Sequence, residues 1–250
     1  QPAITYLSGG GFVVGWTDNS ASPATVKAQI FTATGTRVGG ELTLPDTADI
    51  DGGVKQQLNL LSAGTGFAAV WLVDDVTPPP LENIRTRFFN ASGSPTSGEL
   101  PVNQITTNLQ SEPSTTRLTN GNFVVVFRDN SQSLGDNSGD AIHGRIFNAS
   151  GTAIVNEFLV NSTIANGQEG ANVIGLAGGG FVVAWRDFSG ASGDFLSDVR
   201  LRLFSANGTP VGNDFLAHLN IGGAQAFPGM AALPDGRFVA AGQGVLDYPH

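Results

Sequence analysis

The sequence predicts an all-β protein, a β-propeller of four-stranded antiparallel blades. Three observations carry that prediction: a repeat of 55 to 58 residues, four short apolar segments in each complete repeat, and turn-forming residues between them. Phe12, Phe67, Phe123, Phe181 and Phe238 mark the register, in GGGFVVGW (9–16), GTGFAAVW (64–71), NGNFVVVF (120–127), GGGFVVAW (178–185) and DGRFVAAG (235–242). A second marker follows in the first four units as QIFTATG (29–35), RFFNASG (87–93), RIFNASG (145–151) and RLFSANG (202–208). The units therefore run over about 1–50, 51–108, 109–166 and 167–223, with a partial fifth over 224–250, as one repeat domain.

In the first unit the segments are PAITYL (A), GFVVGW (B), VKAQIF (C) and ELTL (D). They are rich in β-branched and aromatic residues, which suit a pleated, packed surface. Phe12, Val14 and Trp16 share one side of segment B by period two, as blade-to-blade packing requires. Glycine turns join A to B and Asn-Ala-Ser-Gly turns join C to D, so each connection within a unit is a hairpin. Because the fifth unit stops after segment B, the expectation is either a short last blade or a fragment of a larger ring. An open β-solenoid and a tandem pair of sandwiches are the competing folds.

The chain has 34 glycines, 13% charged residues and a net charge of −9, so little helix is expected. Phosphate binding requires clustered Lys and Arg, so the acidic balance argues against a nucleic-acid partner. No run of about 18 apolar residues is present, which argues against membrane insertion by a helix. Absence of cysteine removes disulfides, thiol catalysis and cysteine-bound zinc. The start at Gln1 rather than Met reads as a processed or trimmed chain.

Asp129, Asp136 and Asp140 return as Asp187, Asp194 and Asp198 at a constant offset of 58, in the loops between segments B and C. Calcium takes six to eight oxygen ligands, and three carboxylates in a glycine-rich loop make these six residues candidate calcium ligands. The competing reading is turn capping, because Asp hydrogen-bonds nearby backbone amides and the spacing is not that of an EF-hand.

Two basic columns precede the segment-C Phe, namely Lys27, Arg85, His143 and Arg200, then Gln29, Arg87, Arg145 and Arg202. An anion-binding stripe and cross-strand pairs of Arg87 with Glu99 and Arg145 with Glu157 are the two readings, and pairing is preferred. Trp16, Trp71 and Trp185 read as core. Trp185, beside a long loop, is also a candidate for the ligand-binding face, together with Glu112 and Glu169 at the start of their units. Paired carboxylates at a channel mouth are what glycosidases need, and solvated loop acids are the plainer alternative.

The markers also carry a resemblance. LAGGGFVVAW (176–185) and NEFLVN (156–161) resemble the tandem repeats of about 57 residues in large secreted bacterial proteins, often associated with haemolysin-type calcium-binding repeats. The resemblance implies an extracellular or cell-surface location and an Asp-rich loop before segment C, which only units three and four possess. The resulting expectation is a non-enzymatic extracellular binding or adhesion module, with calcium as candidate cofactor and a glycan or protein as partner. A lectin and a carbohydrate-active enzyme with carboxylates at the channel mouth are the alternatives.

Overall fold

The computed structural model describes residues 2–46, 53–74, 82–191, 193, 197–218 and 224–244. Each repeat folds into one antiparallel sheet. The first holds β1 (Ala3–Tyr6), β2 (Gly11–Asp18), β3 (Thr25–Thr32) and β4 (Arg37–Thr43). The second holds β5 (Val54–Ala63), β6 (Gly66–Asp74), β7 (Glu82–Phe89) and β8 (Leu100–Pro101). The third holds β9 (Gln110–Arg117), β10 (Phe123–Asp129), β11 (Ala141–Phe147) and β12 (Ala153–Leu159). The fourth holds β13 (Gln168–Gly175), β14 (Phe181–Asp187), β15 (Asp198–Phe204) and β16 (Phe215–Leu216). Among the described residues the fifth sheet contains β17 (Gln225–Ala232) and β18 (Phe238–Gly244).

The chain is a β-propeller. The first strand of each blade lies against three strands of the blade before it: β5 on β1 to β3, β9 on β5 to β7, β13 on β9 to β11 and β17 on β13 to β15. A sheet sandwiched in this way buries both faces, and the second strands show it. Phe123, Val125 and Phe127 of β10 enter the core shared with the second blade, while Val124 and Val126 enter the core shared with the fourth. Phe181, Val183 and Trp185 face back from β14, and Val182 and Ala184 face forward. Period two thus sends alternate side chains into two different cores, and the result is a nearly continuous apolar run in sequence.

The marker phenylalanines stack within each blade. Phe12–Phe31, Phe67–Phe89, Phe123–Phe147 and Phe181–Phe204 have centroids 5.0, 4.9, 5.2 and 4.9 Å apart with nearly parallel planes. Such pairs add about 0.5–1.5 kcal/mol beyond the area they bury. At the C-to-D turns, Asn90 Oδ1 accepts from the Ser92 and Ser94 amides, and Asn148 Oδ1 accepts from those of Ser150 and Thr152. Gly151 closes its turn at φ 88°, and a Cβ there would lie 2.7 Å from the Phe88 ring of the preceding blade.

The basic column is structural, but its partners differ from the cross-strand acids expected. Arg87, Arg145 and Arg202 donate to Leu44 O, Val102 O and Val160 O, where the preceding blade ends, and each lies over its own blade's Phe. Glu157 instead accepts from the Gln104 and Ile105 amides, and Asp214 from those of Ser162 and Thr163. Cation and anion therefore clamp the same inter-blade linker, one by its carbonyls and the other by its amides. At the first blade Ile4 occupies the register of Leu60 and Val173, which face the preceding blade; Ile4 is 69% exposed.

Candidate active site

The first strands of four blades share an irregularity at their start. Pairing slips between Gln56 and Asn59 in β5, at Ser111–Ser114 in β9, between Glu169 and Asn172 in β13 and between Ala226 and Gly229 in β17. These are β-bulges, which re-aim side chains and recur at functional rims. Gln57, Glu112 and Gly170 occupy the bulges of three blades at φ 53°, 55° and 63°. Gly170 adopts that left-handed conformation freely, whereas Gln57 and Glu112 adopt it against a cost of order 1–3 kcal/mol. Their side chains link neighbouring blades. Gln57 Oε1 accepts from the Glu112 amide at 2.8 Å, and Glu112 Oε2 accepts from the Gly170 amide at 2.7 Å.

The register corrects the pairing of Glu112 with Glu169. Ser111 and Glu169 stand opposite the equivalent Arg128 and Arg186, so Glu112 corresponds to Gly170 and Glu169 to Ser111. Both glutamates nonetheless line one cavity of about 980 Å³ at the hub. Ala3, Leu58, Pro113, Ala171 and Gly229 bring all five first strands to its wall. The cavity lies at the end of the disc where the first strands begin, the side that carries the variable loops.

Arg128 organises the charges. Its Nη2 donates to Asp140 Oδ2 at 2.5 Å and its Nη1 lies 3.7 Å from Glu112 Oε1. Burial alone would lower the Arg128 guanidinium, but the Asp140 hydrogen bond and the charges of Asp140, Glu112 and Glu169 raise it above its ordinary value. Arg186 lies 3.2 Å from Glu169 Oε1 and stacks 4.5 Å over Phe188. Beside them, burial pushes the Glu82 carboxyl up; Asp74 and Glu112 reinforce the shift and Arg128 opposes it. Arg128, Arg186, Gln57 and Glu82 were not singled out from sequence. The repeated Arg-Asp after the second strand was the available signal for the two arginines.

Among the described residues the repeated aspartates do not gather around one point. Asp136 accepts from Asn161 Nδ2 and the Ser138 amide, and Asp140 binds Arg128 and Asn130. Asp129 accepts from the Ser131 amide and faces His143, and Asp187 accepts from Gln168 and Ser189. Asp194 lies outside the described residues. The offset of 58 also hides a one-residue shift. Asp129 pairs with Ala141, and Asp187, its counterpart, with Asp198. Asp198 is therefore the counterpart of Ala141, not of Asp140, and its Oδ1 lies 3.3 Å from His218 Nε2. Trp185, read as core and also a candidate for the ligand-binding face, is fully buried in the core between the third and fourth blades, so it does not reach that face.

Among the described residues one group has metal-binding geometry: Asp129, His143 and Glu157, with ligand atoms within 4.8 Å of one another. Its counterparts explain it differently. In the first blade Lys27 lies 2.6 Å from Asp18 and 3.9 Å from Glu41. The Lys27 hydrogen bond, with those of Ser20, pulls Asp18 down to about 2. In the fourth, Arg200 lies 2.8 Å from Asp214 and 3.9 Å from Asp187. His143, 2.7 Å from Glu157 and 3.7 Å from Asp129, fills the place of a bridging cation.

No protein-family model and no curated protein matches the chain. Solved structures do match its fold. An α-L-arabinofuranosidase from Fusarium graminearum aligns with a TM-score of 0.58 at 11% identity, over 98% of this chain and 76% of its own. An α-L-arabinanase from Penicillium chrysogenum gives 0.57 at 17%, over 86% and 65%. A microbial sialidase gives 0.60 at 11%, over 83% and 44%, so the chain spans less than half of that enzyme. The likeness supports the propeller fold. These matches are glycan-cleaving enzymes, and that finding overturns the expectation of a non-enzymatic adhesion module.

Proposed function

We propose that this chain is a carbohydrate-active β-propeller that binds a glycan at the channel mouth and hydrolyses a glycosidic bond there. The observation that carries the reading is the hub cavity, in which Glu112 and Glu169 stand on adjacent blades amid amide side chains. Glycoside hydrolysis requires one carboxyl group to protonate the leaving oxygen and a second to attack the sugar or activate water. Glu112 is fixed by the Gly170 amide and faces Arg128, an arrangement that suits the attacking or water-activating group. Glu169 is the second carboxyl group of the wall, and it can donate a proton only once the substrate separates it from Arg186, whose charge favours the carboxylate.

The fold of the matched enzymes supports a glycan as the ligand, and the Gln56 amide and the Asn59 carbonyl oxygen supply a donor and acceptors that match sugar hydroxyls. Release of reducing sugar from a panel of arabinans, arabino-oligosaccharides and sialosides tests the proposal. Glu112→Gln and Glu169→Gln are each expected to lower kcat by about 100-fold or more with an unchanged melting temperature. Full activity in both variants, or no cleavage of any glycan by the native chain, would reject the hydrolytic assignment.

A further inference from the structure

We infer that the channel mouth selects an uncharged glycan and rejects anionic sugars such as sialic acids and uronic acids. The inference rests on the proposed glycan site and deepens it by naming the substrate class. Recognition of a sugar carboxylate characteristically uses an arginine whose forked donors grip both oxygens. Two guanidinium groups stand at this site, and each already faces a carboxylate of the protein.

Arg186 lines the cavity, yet it is held by Glu169 and stacked on Phe188. Arg128 has one arm on Asp140 and the other toward Glu112. An incoming carboxylate that reached either arginine would come to rest beside the internal carboxylate that arginine already faces. It would also approach Glu112 and Glu169, which are about one-third exposed at 36% and 31%. Among the described residues the wall carries two carboxylates against one guanidinium, so a sugar anion meets net repulsion. The other polar groups there are neutral amides and a hydroxyl, which bind hydroxyl groups without a charge requirement. Gln57 occupies the bulge equivalent to Glu112, so an amide there preserves the link between first strands.

Binding, rather than turnover, is the test, because the informative variants alter the proposed catalytic pair. Calorimetric titration of the full chain would compare neutral arabino- and gluco-oligosaccharides with sialyllactose and oligogalacturonate at low salt. Neutral ligands are expected to bind at least tenfold more tightly. In the Glu112→Gln/Glu169→Gln double variant the gap should close by at least fivefold, through gain of anionic binding. Raising NaCl to about 0.5 M should narrow the gap for the native chain by screening the repulsion, a readout that does not depend on the variant folding. Equal or tighter binding of the anionic sugars by the native chain would overturn the inference and leave the glycan site standing. Failure of every glycan to bind would overturn the glycan site and, with it, the inference.

Discussion

His143 shows how one position explains a cluster that resembles a metal site. Lys27 and Arg200 hold the same strand register and bridge two acids, as the imidazole does between Asp129 and Glu157. His143→Ala would take from the buried Glu157 carboxylate its hydrogen bond to the imidazole Nδ1, a loss of about 1–3 kcal/mol in urea unfolding. His143→Arg is expected to recover most of it, since the fourth blade already uses that residue. If Ala and Arg cost the same, the bridging role is wrong. Asp129 was visible in the sequence as a candidate ligand and Glu157 as the expected partner of Arg145. Their partners were not, because a residue's partner across a sheet depends on register, and a one-residue loop difference before the third strand separates Asp140 from Asp198.

At the scale of elements, the clamps on the inter-blade linkers join each blade to the one before it. Burial alone would raise the Asp214 carboxyl, but hydrogen bonds from the Thr163 and Ser162 hydroxyls and amides together bring it below its ordinary value of 3.8. A depressed carboxyl contributes stability above its unfolded value and loses it as pH falls through the lower folded value. The stability difference between the native chain and Asp214→Asn should therefore be constant from about pH 5 upward and shrink as pH falls below 3.8, as chemical unfolding across a pH series would report. A difference that grows on acidification would contradict the assignment. The strands on which these clamps sit were legible from alternation and turn chemistry. The clamps were missed because Arg145 and Glu157 fall in one hairpin yet each turns to the neighbouring blade.

For the whole molecule, calcium provides the comparison. Asp129, Asp136 and Asp140 are each hydrogen-bonded within the protein; if those bonds are their whole role, melting in EDTA and in millimolar calcium gives the same temperature. A native-state ligand at a hundredfold excess over Kd would add about 2.7 kcal/mol, so a site of useful affinity would be seen. A calcium-dependent rise lost in Asp136→Asn would restore the metal role.

The sequence by itself determined the repeat, the four strands of each complete blade, the turn positions and the residues of the core. Those properties are local and periodic, and a two-residue alternation repeated every 55 to 58 residues has few folded solutions. Only the tertiary structure decided the site. Glu112 and Glu169 are 57 positions apart in the chain, and they line one cavity because the bulged starts of adjacent first strands face it. It likewise decided that Trp185 is buried and that Arg128 gathers carboxylates from three segments, since burial and charge pairing are set by which blades stack, not by neighbours in sequence.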